Sequence, residues 1–299
     1  MLRQAINKIF IEGILAENDL AYGSYVKNGK TVESINGKIV VKVVQPINGV
    51  DKELMIPIHY FANKYKNDGN PNPVYTSLET AMNDYVSIAA SDEENADRVR
   101  ISSASLEMNE YYPTPDKLTS FPRLKASFIN RVPKDSIKGG GQANGQIEMI
   151  IAGKEEEVVN DVPTGRILIK GIVPQYGGKV DVIPFYAASP KSIDFVSSNW
   201  NEGDTVPATI ALNFSAETKE VIEEQAFGDP IVKTRTVNLS EILITGGNYR
   251  YDDDDAQAYK TDEVQAGLAE RRARLEALKA KGGKKTAPLK SNTKLDLGF

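Results

Sequence analysis

The chain has no cysteine and a single histidine among 299 residues. The first absence excludes disulfide staples, thiolate zinc sites and cysteine nucleophiles. The second leaves any multi-histidine metal centre or Ser-His-Asp triad to be built around His59 alone. That residue lies in the strand-like run ELMIPIHYF and is expected to be an ordinary barrel-wall side chain. No GxSxG, Walker A, GxGxxG or HExxH pattern accompanies it. An enzyme is therefore not expected, and no cofactor or metal is implied. Long apolar runs are missing too: the longest are strand-length pieces such as KIVVKVVQ. The start, MLRQAINKIFIEG, lacks the apolar centre and cleavage site of a signal peptide, so a cytoplasmic location away from any membrane is the expectation.

What is present is the mix of a globular protein, 40% hydrophobic and 26% charged, at a length that suits two domains and a tail. With 36 basic and 41 acidic residues the net charge is −5, which by itself argues against a polyanionic partner. Distribution changes that inference. Acidic residues collect in SDEEN at 91–95, KEEEVV at 154–159, ETKEVIEE at 217–224 and DDDD at 252–255, which are expected to be loops or solvated ends. Basic residues tend to lie on strands.

Residues 8–15 open a β-rich segment, and GKIVVKVVQ at 37–45 sets Ile39, Val41 and Val43 on one face against Val40, Lys42 and Val44 on the other. ELMIPIHYF follows as a third strand. In TSLETAMNDYVSIAA, Thr76 and Glu79 form a capping box, and Leu78, Met82, Tyr85 and Ala89 recur at helical spacing. The strands RVRISSASL and RLKASFINRV complete three strands, a helix and two strands. After KGGGQANG at 138–145 the same order returns: QIEMIIAG, TGRILIKGIVPQYGG and KVDVIPFYAA, then a helix capped by Ser189 with Pro190 in its first turn, then DTVPATIALNF and VKTRTVNLSEILITGG. Ile193, Val196 and Trp200 share the helix's core face. NKIFIEGILAEN at 7–18 parallels TGRILIKGIVPQ at 164–175, and LMIPIHYFA at 54–62 parallels VDVIPFYAA at 180–188. The expected fold is mainly β: a duplicated five-stranded unit, residues 1–137 and 146–250, joined by a linker at 138–145 and followed by a C-terminal region, 251–299.

The second unit resembles the oligonucleotide-binding (OB) domain of bacterial and phage single-stranded DNA-binding proteins. The likeness lies in KVDVIPFYA, the helix, WNEGDTVPATIALNF and TRTVNLSEILITGG, and NKIFIEGILAEN is similar to that family's opening strand. The terminal KLDLGF resembles the family's partner-binding tip, with Asp296, Leu297 and Phe299 in the corresponding places, although Gly298 stands where Pro is usual. The resemblance implies two tandem OB barrels of a phage-type variant. It also implies nonspecific binding of single-stranded DNA, and recruitment of replication or recombination proteins through the tip.

Binding a single strand takes cations along the phosphates and exposed rings beneath the bases. In the first unit the candidates are Lys38, Lys42, Tyr60, Phe61, Lys64, Tyr65, Arg98, Arg100, Arg123 and Lys125. In the second they are Lys170, Tyr176, Lys179, Phe185, Tyr186, Lys233 and Arg235. Of two adjacent strand aromatics one normally points inward, so Tyr60 and Phe61 cannot both face a ligand without a bulge. A helix is expected from Thr261 to about Lys281, stopped by Gly282 and Gly283. Its stripe of Val264, Leu268, Leu275 and Leu278 could dock on the barrels or mediate self-association. The main alternative is a virion structural or assembly protein that uses such barrels as scaffolding, since a fold alone does not give a function. A nuclease is weaker, because no carboxylate pair has metal-site spacing on an expected strand.

Overall fold

The alternation expected of GKIVVKVVQ is present in part: Ile39, Val41 and Val43 are buried, and on the opposite face Lys42 and Val44 are half-buried, but Val40 is buried as well. The computed structural model describes residues 2–223 and 231–281, with the backbone alone for 216–223, 231–238 and 281. Its first half runs β1 (Asn7–Asn18), β2 (Ala21–Lys27), β3 (Lys30–Ile47), β4 (Val50–Asn63), α1 (Pro73–Asp84), β5 (Arg98–Thr114), β6 (Lys117–Ala126) and β7 (Asn130–Val132). The second runs β8 (Gln142–Val159), β9 (Val162–Pro174), β10 (Val180–Ala187), α2 (Pro190–Asn199), β11 (Thr205–Asn213), β12 (Ala216–Glu223), β13 (Ile231–Asn238) and β14 (Glu241–Gly247). Helix α3 (Thr261–Lys281) follows. The chain is mainly β, and among the described residues no helix is long and apolar enough to cross a membrane.

Twelve strands form one sheet whose pairings close on themselves twice. In the first ring β1 pairs with β3, β3 with β4, β4 in parallel with β6, β6 with β5, and β5 back with β1. In the second, β8 pairs with β9, β9 with β10, β10 in parallel with β14, β14 with β11, and β11 back with β8. A helix precedes the fourth strand of each ring. Closure removes the free edges an open sheet would expose. β1 also pairs with β8, from Asn7 opposite Ile147 to Glu12 opposite Gln142, so the two rings share one continuous sheet. Residues 142–145, expected in the linker, are therefore strand: their backbone bonds go to β1, and only the stretch before Gln142 connects.

Further details depart from expectation. Helix α1 begins earlier than the Thr76/Glu79 box, because the Asn72 side chain accepts from the Val74 amide and Pro73 takes the first turn. It ends at Asp84, and Ala89 falls in a short 3-10 turn instead. VKTRTVN does not join SEILITGG in one strand; it folds back as β13 against β12 in a separate two-stranded ribbon, and β14 alone closes the ring. TGRILIKGIVPQ lies in β9, the second strand of its ring, whereas NKIFIEGILAEN is β1, the first strand of the other, so that parallel matches non-equivalent strands. The Ile-Pro parallel does match equivalents, β4 and β10.

Helix α2 is as expected: Ser189 and Ser192 cap reciprocally, Val196 is buried, and the fully buried Trp200 donates its indole N–H to the Asn248 carbonyl. Helix α3 also starts and runs as expected, and it docks on the rings. Val264 is buried with Leu2, Ile150, Ile172 and Val180, while Arg271 and Arg274 reach the buried carboxylates of Glu110 and Asp181.

Candidate nucleic-acid interface

The outer face of β3 and β4 is set by their register. Asn36 stands opposite Phe61 and Lys38 opposite His59, with the intervening Ile35, Ile39, Ile58 and Tyr60 turned into the ring. β2 extends this face as a hairpin on β3. Its tip is Asn28-Gly29, both residues at positive φ, the pair that a two-residue turn between strands of natural twist requires. The hairpin carries Tyr25, whose ring centroid lies 6.3 Å from that of Phe61 and whose hydroxyl donates to Asn63 Oδ1 at 3.2 Å. Beside them a recess of about 250 Å³ is lined by Tyr25, Lys27, Lys30, Glu33, Tyr65 and Lys66. Phe61 is 49% and Tyr65 54% exposed.

Electrostatically this end of the face is positive. Glu33, the carboxylate lining the recess, is taken by Lys64 at 2.8 Å. Among the described residues no carboxylate lies within ion-pair distance of Lys27, Lys30 or Lys66. Farther along, Lys38 holds Glu17 at 3.1 Å and Asp19 at 3.4 Å, and the bond to Glu17 raises its pKa. Lys42 is held more firmly, with Glu53 and Glu93 both at 2.8 Å. His59 sits half-buried between them and β6. Burial, then the charges of Arg123 and Lys38, lower its pKa, so the imidazole is held neutral.

The other expected site residues fall into four groups. Tyr60, 3% exposed, and Phe185, wholly buried, point into their rings, which corrects their assignment: in an alternating strand the neighbours Phe61 and Tyr186 take the outer face. Several cations are engaged with the protein itself. Arg98 donates to the Glu93 and Ala96 carbonyls, Arg100 pairs with Glu12, Arg123 with Glu107 and Lys170 with Glu155. The Tyr186 ring is covered by the Arg166 guanidinium at 4.6 Å, which Glu157 and Glu241 hold in turn. Lys125, Tyr176 and Lys179 are exposed, and the structure brings them together with Arg123 around one groove between the rings. Lys233 and Arg235 lie on β13, where only the backbone is described, and Asp296, Leu297 and Phe299 lie outside the described residues.

Tyr25, Lys27, Lys30 and Lys66 escaped the sequence analysis, whereas His59 stands on the ring wall, on β4, as expected. The signal was present for most of them. Asn-Gly at 28–29 and again at 48–49 marks two hairpins, and the first places Tyr25 and Lys27 on β2 beside β3, the strand that carries Lys30, Asn36 and Lys38. Among the described residues no group of three His, Cys, Asp or Glu side chains is placed to hold a metal ion.

Comparison with solved structures finds two forms of the single-stranded DNA-binding protein from Thermus aquaticus. A deletion mutant aligns at 9% identity and TM-score 0.49 over 86% of this chain and 100% of its own. The wild type aligns at 10% and 0.48 over 86% and 98%. A replication protein A heterotrimer bound to single-stranded DNA aligns at 8% identity and TM-score 0.18, over 90% of this chain and 53% of its own. No curated protein matches the sequence. The model of the YorF family matches residues 5–281, which take in both rings and α3, and the chain belongs to that family.

Proposed function

We propose that this protein binds single-stranded DNA without sequence preference, along the outer face of β3 and β4 and the β2–β3 hairpin. One observation carries the proposal: Lys27, Lys30 and Lys66, which have no carboxylate partner among the described residues, line one recess with the rings of Tyr25 and Tyr65, and the exposed Phe61 lies beside Tyr25. Lysines that neutralise phosphates release condensed counterions, which gives affinity without reading sequence. Exposed rings stack on bases, and only unpaired bases present their faces, so the combination favours single strands over duplex. The net charge of −5 does not oppose this, because acidic groups near the face are already spent on Lys38, Lys42 and Lys64.

The finer role is to protect single strands and to recruit replication or recombination proteins through residues 295–299. The resemblance of KLDLGF to a partner-binding tip supports that part. Removing those five residues is expected to leave DNA affinity intact and to abolish capture of such partners.

The deciding experiment is titration with dT oligonucleotides and with duplex of equal length at several salt concentrations. Single strands should bind more tightly, and affinity should fall with salt by about 0.7 in log–log slope per phosphate contact. Replacing Lys27, Lys30 and Lys66 together by Gln should flatten that slope by about 2. Phe61→Ala and Tyr65→Ala should each weaken binding by about 1–3 kcal/mol. Equal affinity for duplex, or a slope untouched by the triple change, would leave a scaffolding role as the better account.

A further inference from the structure

Between the rings lies a groove of about 640 Å³. One wall is the outer face of β5 and β6, with Ser105, Glu107, Arg123 and Lys125. The other is the turn at 175–179 between β9 and β10, with Tyr176 and Lys179, and Arg274 and Leu278 of α3 stand at its side. Its acidic groups are already matched. Glu107 accepts from Arg123 at 2.6 Å, and Glu110 and Asp181 accept from Arg271 and Arg274. Lys125 and Lys179, contributed by different rings, have no carboxylate within ion-pair distance among the described residues. Tyr176, in the same turn as Lys179, is 84% exposed and offers its ring to the groove mouth.

The groove is continuous with the face described above. Lys125 on β6 is the register neighbour of His59 on β4, and His59 stands opposite Lys38 on β3. Strands lie about 4.8 Å apart, so a backbone crossing β3, β4 and β6 at this level reaches the groove within about 10–15 Å. The two walls are also fixed relative to each other, because β1 and β8 pair directly and join the rings in one sheet. A strand laid across them meets a preformed channel and bears little cost of ordering a linker.

We propose that the groove is a second contact region for the same single strand of DNA, which crosses from the first ring to the second so that one strand occupies both rings of a chain. The proposal rests on the binding function above. Phosphates lie between Lys125 and Lys179, and a base stacks on Tyr176.

The test uses the full chain and a dT series from about 4 to about 32 nucleotides, since one barrel of this type covers about 4–16. Lys125→Gln with Lys179→Gln, and separately Tyr176→Ala, should leave the affinity of the shortest binding oligonucleotides unchanged. For the long ones the double variant should flatten the salt slope by about 1.4, and Tyr176→Ala should cost on the order of 5- to 100-fold. All three residues are exposed, so folding is not at stake. Wild-type chain should saturate at one long oligonucleotide each. Long-strand binding that ignores both variants overturns the groove while leaving the hairpin face standing, as does an equal loss at every length. A wild-type chain that binds no dT at all overturns the parent function instead.

Discussion

Lys38 and Lys27 carry the same ammonium group on the same face, yet a phosphate meets them differently. Lys38 must give up Glu17 and Asp19, whereas Lys27 has no carboxylate to leave among the described residues. Exposed pairs are worth about 0–1 kcal/mol, so Lys38 remains available at small cost, while Lys42, held by two carboxylates with a largely covered side chain, is the poorer partner. His59 gives a pH signature. Its pKa is lowered in the folded chain, so the unfolded chain takes up the proton first. Stability should be level above about pH 6.5, decline as pH falls through that value, and level off again below the folded pKa. Thermal unfolding of His59→Gln should lack this component, and a variant that declines as steeply as wild type would place the titration elsewhere. Phe185 belongs to the core: Phe185→Ala should cost about 3–5 kcal/mol in chemical denaturation, whereas Phe61→Ala should leave the midpoint nearly unchanged and act on DNA binding alone.

Individual elements were legible to different degrees. Helix α2 could be read from its cap and first-turn proline, and α3 from its apolar spacing, because those signals are confined to a few neighbouring residues. The start of α1 was misplaced because two capping signals compete in PNPVYTSLE, and Pro73, unable to donate to a helix interior, makes the earlier one decisive. The β2–β3 hairpin was missed although Asn28-Gly29 announces it, and with it went half of the aromatic and basic recess. In β1, Gly13 is required by close approach: a Cβ there would stand 2.2 Å from the Lys42 carbonyl oxygen and 2.9 Å from Val41 Cγ1. Gly13→Ala should therefore push β1 off β3 and destabilise the chain by about 1–3 kcal/mol or more, read as a lowered Tm; an unchanged Tm would mean that β3 can yield at this crossing.

At the scale of the molecule, three contacts between distant segments decide the arrangement. β1 and β8 fuse the rings, and the buried carboxylate of Glu148 holds Arg3, the Ile6 amide and the Tyr259 hydroxyl, tying the segment before β1 and the segment before α3 to the second ring. Helix α3 is fastened by Arg271 and Arg274 on Glu110 and Asp181. Removing one partner of a buried ion pair costs about 3–5 kcal/mol, so Glu110→Ala should loosen α3. Hydrogen exchange should quicken across residues 261–281 and leave the strands of both rings protected; uniform acceleration throughout would show that α3 does not open separately.

The amino-acid sequence alone determined the strand alternation, the duplicated order of strands and helices, the positions of α2 and α3, and the exclusion of cysteine chemistry, all of which depend on short-range spacing or composition. Only the tertiary structure decided which strand lysines remain free, that the supposed linker is half strand, and that Lys125 and Lys179 share a groove. The reason is physical: an ion pair or a strand pairing is made with whatever lies within a few ångströms. Here the partner is 51 residues away for Lys42 and Glu93 and 145 away for Arg3 and Glu148, a distance across which local periodicity carries no information.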